Sequence, residues 1–145
     1  MPFDSTHVIH PDWARHHMPV TEGAMGATCT ITTGGGGGWD PDAGPTTGDP
    51  TSLYTGRCRV QAQANAAAER DAADQLVTVS TYLVALPATC PGVPVGDQGA
   101  KVTITAMDAN GDQDLIGKVL TVQSNPTASL RWERDLTCTL DQTNQ

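Results

Sequence analysis

Four histidines, a residue type that serves both as general base and as zinc ligand, all lie within the first 17 residues of this 145-residue sequence. They are His7, His10, His16 and His17, and Asp12 lies among them. A structural zinc site usually draws on closely spaced ligand pairs, whereas no two of the four cysteines are closer than 29 positions. We therefore expect neither a metal nor another cofactor. The histidines are predicted to lie on an arm that packs on a partner subunit, and a metal-dependent hydrolase is the alternative.

The cysteines are the other candidate nucleophiles. Cys29, Cys58 and Cys138 fall on the apolar side of alternating segments, where cysteine behaves as a small hydrophobic residue. Cys90 lies in the Pro/Gly-containing turn ATCPGVPVGD, and we expect it to be exposed. A nucleophilic cysteine needs a positioned base, and every histidine lies far from Cys90 in the sequence. The sequence therefore predicts three core thiols, no catalytic residue and no enzymatic activity.

The acidic segment Asp108–Asp114 (DANGDQD) has the composition of a calcium loop, in which carboxylate and amide oxygens converge on the ion. Its spacing differs, because an EF-hand-type loop has Gly at its sixth position and Glu at its twelfth, where this sequence has Gln113 and Val119. The Asn-Gly pair instead predicts a hairpin between two strands. A secreted, calcium-stabilised β-sandwich binding module is an alternative function based on this segment.

A run of five glycines, Gly34–Gly38, is followed by Trp39-Asp40-Pro41. A phosphate-binding P-loop requires Lys-Ser/Thr at the helix start after its glycines, and this sequence lacks that pair. The run predicts a hinge within a long loop, and long loops in small domains often make contacts. We expect Trp39 to anchor the loop by inserting into a neighbouring subunit.

Acidic residues outnumber basic residues by 16 to 8, which gives a formal net charge of -8. This balance opposes tight binding to DNA, which depends on Lys and Arg neutralising phosphates. The close pairs Arg57/Arg59 and Arg131/Arg134 are expected to bind acidic neighbours instead. The first residues lack the charged and apolar regions of a secretory signal, and no stretch of about 18 apolar residues occurs. We expect a soluble protein made in the cytoplasm, with no membrane partner.

Six segments alternate apolar and polar residues with the period of two that is typical of strands. They are Ala27–Thr33, Leu53–Gln63, Gln75–Leu86, Ala100–Ala106, Lys118–Ser124 and Arg131–Leu140. The sequence predicts a mainly β fold, a small six-stranded β-barrel or sandwich with an extended N-terminal arm and long loops. The second half of Gln75–Leu86 is predicted to be buried on both faces. Gly56 is expected to mark a bulge.

The predicted barrel domain spans residues 27–141, after an arm at residues 1–26 and before a tail at residues 142–145. Two long loops interrupt the domain, at residues 34–52 and 64–74. The second loop (ANAAAERDAAD) lacks large apolar residues. We expect it to be an extended or weakly helical projection from the barrel.

The arm contains the sequence PDWARHHMP. Asp12 is expected to cap a single helical turn. Pro11 and Pro19 bracket the segment too closely for a long helix, because proline inside a helix removes a backbone hydrogen bond.

The order and spacing of several segments resemble those of head-closure (stopper) proteins, a family of head-to-tail connectors of actinobacteriophages and related tailed phages. The resemblance is carried by Tyr54–Gln61 (YTGRCRVQ), by Val95-Gly96-Asp97, and by Leu115-Ile116-Gly117 before Lys118–Val122. It spans Met25 to Asp141.

The resemblance implies a virion structural protein of the phage neck, assembled in the host cytoplasm. It would form a homo-oligomeric ring of roughly six or twelve copies that seals the packaged DNA. The portal or adaptor protein would lie on the head side and the tail-terminator or tail-tube protein on the tail side. DNA in the channel would lie in non-specific proximity. A tail-completion or tail-terminator ring protein is the alternative.

Two groups of residues are candidates for function in such a ring. Large side chains expected at subunit interfaces are Trp13, Met18, Trp39, Tyr54 and Trp132. The projection at residues 64–74 is expected to face or gate the channel through Ala64, Glu69, Arg70, Asp71 and Asp74. We expect deletion of the projection to let DNA leak from heads that otherwise assemble.

Overall fold

The computed structural model describes residues 9–34, 37–63, 68–72, 75–95 and 99–141. The elements in these ranges are α1 (Trp13–Gly23), β1 (Ala27–Thr33), β2 (Gly37–Asp40), β3 (Gly44–Thr47), β4 (Thr51–Ala62), β5 (Ala68–Ala72), β6 (Gln75–Pro87), β7 (Lys101–Met107), β8 (Val119–Ser124) and β9 (Glu133–Asp141). A short 3₁₀ helix, Gln113–Leu115, lies between β7 and β8. None of the described helices is long and apolar enough to cross a membrane.

Six of the strands form a closed antiparallel barrel. β1 pairs with β4 and β7, β8 lies between β7 and β9, and β6 lies between β9 and β4. The β4–β6 pairing closes the sheet, which removes the free edges that an open sheet would present. This architecture confirms the predicted mainly β fold and selects the six-stranded barrel from the two alternatives.

Alternation along each strand sends apolar side chains into the barrel interior. In β1, Ala27, Cys29 and Ile31 are buried, while the intervening threonines are half-buried on the outside. The other strands contribute side chains that are at most 2 % exposed: Cys58, Val84, Leu86, Val102, Ile104, Leu120, Val122, Leu136 and Cys138. Full burial of one aliphatic side chain stabilises a fold by about 1.5–3 kcal/mol. The interior is therefore the main source of stability.

The second half of β6 is covered on both faces, as predicted, because Val84, Ala85 and Leu86 are all fully buried. Val84 and Leu86 belong to the barrel interior. Ala85 faces outwards, in register with Arg59 of β4 and Asp135 of β9. This row places Arg59 and Asp135 on the outside of the barrel, on either side of a small buried residue.

The predicted bulge at Gly56 is wrong. Gly56 pairs with Cys29 in regular register, and the extra residue of β4 is Leu53, opposite the point where the register of β1 shifts after Ile31. The absence of a side chain at Gly56 instead leaves room for Tyr54. A Cβ atom on Gly56 would lie 2.6 Å from the hydroxyl oxygen of Tyr54, whose ring covers the same face of the strand.

The arm contains an 11-residue helix, so the predicted single turn is wrong. Pro19 lies inside α1 and removes one backbone hydrogen bond, but the Thr21 hydroxyl donates to the Met18 carbonyl at 2.9 Å and the helix continues. The predicted cap is wrong as well, because Asp12 makes no capping hydrogen bond. Its carboxylate instead forms an ion pair with Arg15, at 3.0 Å.

The loop predicted at residues 34–52 contains a second, two-stranded sheet formed by β2 and β3. Asp40 ends β2, and its carboxylate accepts hydrogen bonds from the backbone N–H groups of Asp42 and Ala43 at 2.8 and 3.3 Å. Gly44 then adopts a φ of +80°, a conformation that favours glycine. These hydrogen bonds and the conformation of Gly44 form a hairpin, whereas the sequence predicted only a long loop with a hinge.

The projection predicted at residues 64–74 contains β5, which pairs antiparallel with the first residues of β6. Of the two predicted states, the extended one is confirmed and the weakly helical one is wrong. The helix propensity of alanine is a weak preference, and the edge of β6 offers backbone hydrogen bonds that override it. Ala64 and Asp74 lie outside the described residues, as do residues 1–8 and 142–145.

β7 and β8 are joined by residues 108–118, a longer connection than the predicted Asn-Gly hairpin. The Gly111 N–H donates to the Asp108 carbonyl at 2.9 Å, and the Asp112 carboxylate accepts from the Asp114 N–H at 3.0 Å. The Gln113 side chain donates to the carbonyls of Asp108 and Gly111, at 2.9 and 3.2 Å. Two carbonyl oxygens of this loop are therefore occupied by hydrogen bonds within the loop.

Candidate functional site

The described histidines lie on the arm and contact their own helix. His10 stacks on His16 with ring centroids 5.7 Å apart, and His17 packs on Trp13 at 4.2 Å. Nδ1 of His10 accepts a hydrogen bond from the Asp12 N–H at 3.1 Å. Within the ranges that the structure describes, no three His, Cys, Asp or Glu side chains are grouped to hold a metal ion. The predicted arm residue His7 lies outside those ranges.

All four thiols are buried and unpaired by disulfides. Cys29, Cys58 and Cys138 line the barrel interior, as predicted. The predicted exposure of Cys90 is wrong, because this residue is 3 % exposed and packs on the same core. Its backbone N–H donates to the Pro87 carbonyl at 2.9 Å, and the resulting turn directs the side chain inwards.

The fold raises the pKa of three of these thiols, whereas the hydrogen bond with Cys29 lowers the pKa of Cys58. Burial raises the pKa of Cys138 to about 12 and also raises the pKa of Cys90, although nearby arginines oppose the second shift. The pKa of Cys29 is raised first by its hydrogen bond with the Cys58 thiol and then by burial. Because the thiolate is the reactive form, Cys29, Cys90 and Cys138 are poor nucleophiles at neutral pH.

Aromatic side chains attach α1 to the start of β9. The rings of Trp13 and Trp132 meet edge to face, with centroids 4.8 Å apart. The Thr21 hydroxyl also donates to the Trp132 carbonyl at 3.3 Å. Met18 is half-buried, and no residue of α1 is fully buried. Trp13 and Trp132 thus contact each other within one chain, and their contacts between subunits stay a prediction, as do those of Met18.

The other two predicted interface residues differ sharply in exposure. Trp39, on the β2–β3 hairpin, is 75 % exposed. Tyr54 is half-buried against the core, and its hydroxyl donates to the Arg57 carbonyl at 2.8 Å. Burial raises the pKa of Tyr54 to about 12. Tyr54 therefore supports the fold, whereas Trp39 is available to a partner.

The candidate channel residues that the structure describes lie in one strand. Glu69, Arg70 and Asp71 are consecutive residues of β5 and pair in register with β6. β5 pairs only with β6 and lies at the end of the sheet order, outside the barrel. Its role at a channel stays a prediction.

A surface cleft of about 200 Å³ lies where the chain passes from β8 to β9, and we call it the β8–β9 cleft. Its lining combines apolar and charged side chains: Pro126, Thr127, Ala128, Leu130, Arg131, Trp132, Glu133, Arg134 and Asp135. Leu130 is 50 % exposed. An open concavity with apolar walls and a few charged groups is the typical form of a binding site.

Arg134 is one of the residues that line this cleft, and its side chain is buried. It occupies an inward-facing position of β9 and is 7 % exposed. Its guanidinium donates to the Cys90 carbonyl and to Oδ1 of Asn125, each at 3.2 Å, and Asn125 donates to the Val93 carbonyl at 2.9 Å. The expected pairing of Arg134 with an acidic neighbour is therefore wrong among the described residues, because its hydrogen bonds hold two connecting segments in place.

On the outer face of the barrel, Arg59 and Glu133 form an ion pair at 3.0 Å, which confirms the acidic partner predicted for Arg59. Their side chains are 27 % and 15 % exposed. Oδ1 of Asp135 is buried and accepts no hydrogen bond from any described residue, and Nε of Arg59 is likewise without a partner there. A buried acceptor left unsatisfied costs about 1–3 kcal/mol. The two unsatisfied atoms, one acceptor and one donor, belong to residues on either side of Ala85 in the same row of the barrel.

The hairpin and the β8–β9 connection lie at the same end of the barrel, because β1 and β8 end there and β4 and β9 begin there. They are nevertheless separate features, since Trp39 is not among the residues that line the cleft. Arg59, which binds Glu133 of the cleft, lies eight residues along β4 from Thr51, a distance of about 26 Å at about 3.3 Å per residue.

The β8–β9 cleft was not predicted from the amino-acid sequence. One signal was present, because Arg134 shares the inward parity of Leu136 and Cys138, and a charged residue at such a position marks a strand end or a polar network. No comparable signal exists for Asp135, whose burial depends on Arg59 and Ala85 in neighbouring strands.

Comparison with known proteins gives a family and no named relative. Neither the curated proteins nor the solved structures include a match to this chain. The model of one family, described as a family of unknown function and called DUF6093, matches residues 17–139, which include most of α1 and all of the barrel except the last two residues of β9. The chain therefore belongs to the DUF6093 family.

Proposed function

We propose that this chain is a structural subunit of a phage neck, a head-closure connector that forms a ring, seals packaged DNA and joins head to tail. The observation that carries the proposal is that the subunit has two different surface features, the exposed Trp39 on the hairpin and the β8–β9 cleft, whose lining does not include Trp39. A cyclic ring needs two different patches that are displaced on each subunit, so that each copy binds the next. The sequence resemblance to stopper proteins supplies the neck as the place of assembly.

The outer wall of the barrel also suits contact with other subunits. Thr28, Thr30 and Thr32 of β1 are half-buried and carry no charge. Thr55 donates to Thr30 at 3.4 Å across the strands. The centre of a protein interface is typically depleted in charged residues, so this threonine-rich wall can pack against another subunit with little desolvation of charge.

Net charge supports the role of the ring as a DNA conduit. With a formal charge of -8, the subunit has no excess of cations to hold the phosphates of passing DNA. The described groups that could do chemistry are also engaged in the fold, since the thiols are buried and the described histidines contact α1. We infer a structural role without catalysis.

Electron microscopy of the purified chain and of purified necks tests the proposal. We expect closed rings with a central channel, and density of the same ring between head and tail in particles that contain the chain. A monodisperse monomer in solution, together with no copy of the chain in the neck, would contradict the proposed function. A ring found instead at the tail end of the neck would support the tail-terminator alternative.

A further inference from the structure

We propose that Asn110 is a modification site, at which the chain deamidates spontaneously by forming a cyclic imide with the backbone nitrogen of Gly111. This inference goes beyond the proposed function and does not depend on a ring. It connects two observations: the sequence contains a single Asn-Gly pair, and this pair lies in the turn that follows β7, where Asn110 is exposed.

The reaction needs only these two residues and water. The backbone nitrogen of Gly111 loses its proton to hydroxide and bonds to Cγ of Asn110, while Nδ2 takes up a proton and leaves as ammonia. One water molecule then opens the five-membered ring at either of its two carbonyl carbons. Opening at the main-chain carbonyl carbon gives isoaspartate, whose main chain passes through the former side chain, whereas opening at Cγ gives a normal aspartate at position 110.

The residue after the asparagine controls how readily the ring closes, because a side chain there hinders the approach of the backbone nitrogen. Gly111 presents no such hindrance. Glycine is also favoured here by packing, since a Cβ atom at Gly111 would lie 2.5 Å from Sδ of Met107. The contact that favours glycine in this turn therefore also favours the reaction of Asn110.

Asn125 has the same side chain but cannot react by this route. It is followed by Pro126, whose backbone nitrogen carries no proton. Its amide is also held by two hydrogen bonds within the fold, at 2.9 and 3.2 Å. The other asparagines, Asn65 and Asn144, lie outside the described residues, and neither precedes glycine. Asn125 is therefore an internal control for Asn110.

Hydrogen bonds of the turn slow the reaction without preventing it. The Gly111 N–H donates to the Asp108 carbonyl at 2.9 Å, and this bond must break before the nitrogen can attack. The exposed side chain of Gln113 donates to the carbonyls of Asp108 and Gly111, at 2.9 and 3.2 Å, and so holds the same turn. Because the net stabilisation by one such bond is small, we expect the folded chain to react within about tenfold of the rate of the unfolded chain.

Conversion changes both the charge and the main chain at this end of the barrel. Residues 108–117 contain three aspartates and no Lys, Arg or His, so deamidation adds a fourth carboxylate. Asn110 also lines a surface cleft of about 250 Å³ together with Gly111 and Arg59, and the new charge lies in that lining. Isoaspartate adds one methylene to the main chain, which changes the spacing of the groups that close the turn between Asp108 and Gly111.

Incubation of the purified full chain at neutral and at mildly alkaline pH, followed by peptide mapping with mass spectrometry, tests the site. We expect aspartate and isoaspartate to accumulate at position 110, faster at the higher pH because hydroxide removes the proton, while Asn125 stays intact. Labelling by an isoaspartate methyltransferase is an independent measure of the second product. The same chain in urea gives the rate without the fold. If Asn110 stays intact in the folded chain while the chain in urea converts, the proposal is wrong.

Two variants test the route and the effect of the turn. In urea, where packing on Met107 plays no part, Gly111→Ala should slow deamidation by more than about tenfold, and an unchanged rate would overturn the attack by the Gly111 nitrogen. In the folded chain, Gln113→Ala should speed the reaction by about two- to tenfold, because it releases the turn. Gln123→Ala is the matched control, since it removes an exposed glutamine of β8. Equal rates for these two variants, with circular dichroism spectra that match the wild type, would overturn the slowing by Gln113.

Discussion

The barrel interior and the β2–β3 hairpin differ in the exposure of their apolar side chains. Interior side chains such as Leu136 and Ile104 are fully buried, whereas Trp39, a larger apolar residue, is 75 % exposed. The interior is closed by pairing of every barrel strand with two neighbours, and the hairpin has only its own two strands. A two-stranded sheet is at best marginally stable alone. The barrel therefore supplies the stability of the fold, whereas the hairpin leaves its large apolar side chain exposed and available for association.

Alkaline pH should have the largest effect on the interior. The pKa of Cys138 is 9.0 when exposed and is raised to about 12 in the fold, so the folded state binds more protons between these values. The free energy of unfolding should therefore be unaffected below pH 9.0 and fall as the pH rises towards about 12. Urea unfolding at several pH values measures this change. For one thiol that is ionised in the unfolded state and protonated in the folded state, the free energy of unfolding should fall by about 1.4 kcal/mol per pH unit. A flat profile between pH 9 and 11 would show that the thiols ionise without unfolding.

Leu136→Ala should lower the free energy of unfolding at neutral pH by about 2–5 kcal/mol, because it leaves a cavity in a closed interior. Leu136 is 0 % exposed and belongs to the core cluster. Urea or thermal unfolding measures the change. A loss below about 1 kcal/mol would mean that the interior is loosely packed and would weaken the contrast with the hairpin.

Gly56→Ala should cost less, about 1–3 kcal/mol, because the new Cβ atom displaces the Tyr54 ring from its position over the strand. A Cβ atom at Gly56 would lie 2.6 Å from the Tyr54 hydroxyl oxygen, which now donates to the Arg57 carbonyl. Gly92→Ala is the control, since a Cβ atom there has nothing within 4 Å. Equal stabilities of the two variants in thermal unfolding would count against this account of Gly56.

Trp39→Ala should have the smallest effect on stability, within about 0.5 kcal/mol, because an exposed side chain leaves no cavity. Unfolding of the dilute monomer is the measurement, so that oligomers do not stabilise the folded state. A loss of several kcal/mol would mean that the hairpin belongs to the folding unit of the barrel.

Several features of the fold followed from local pattern. The six alternating segments predicted the barrel strands to within a few residues at each end. The prediction worked because alternate side chains of a strand face the same side, so a strand with one face in a common interior has an apolar residue at every second position. The same parity placed Cys29, Cys58 and Cys138 in the core. Trp39 is exposed, and its insertion into a neighbouring subunit stays a prediction.

The errors share a cause, which is competition from contacts distant in the sequence or from specific hydrogen bonds. α1 continues past Pro19 because Trp13 packs on Trp132 and Thr21 binds nearby carbonyls. β5 forms because it can pair with the backbone N–H and C=O groups at the edge of β6. Cys90 is buried because its turn folds back on the barrel.

The β-rich class, the inward parity of the strands and the acidic charge could be predicted from the amino-acid sequence, since they depend on residue type and spacing along the chain. The closure of the barrel through the β4–β6 pairing and the burial of Oδ1 of Asp135 beside Ala85 depend instead on the three-dimensional arrangement of the strands. That arrangement alone placed the hairpin and the β8–β9 connection at the same end of the barrel. Closure and burial of this kind depend on strands far apart in the chain, and no local period encodes which of them become neighbours.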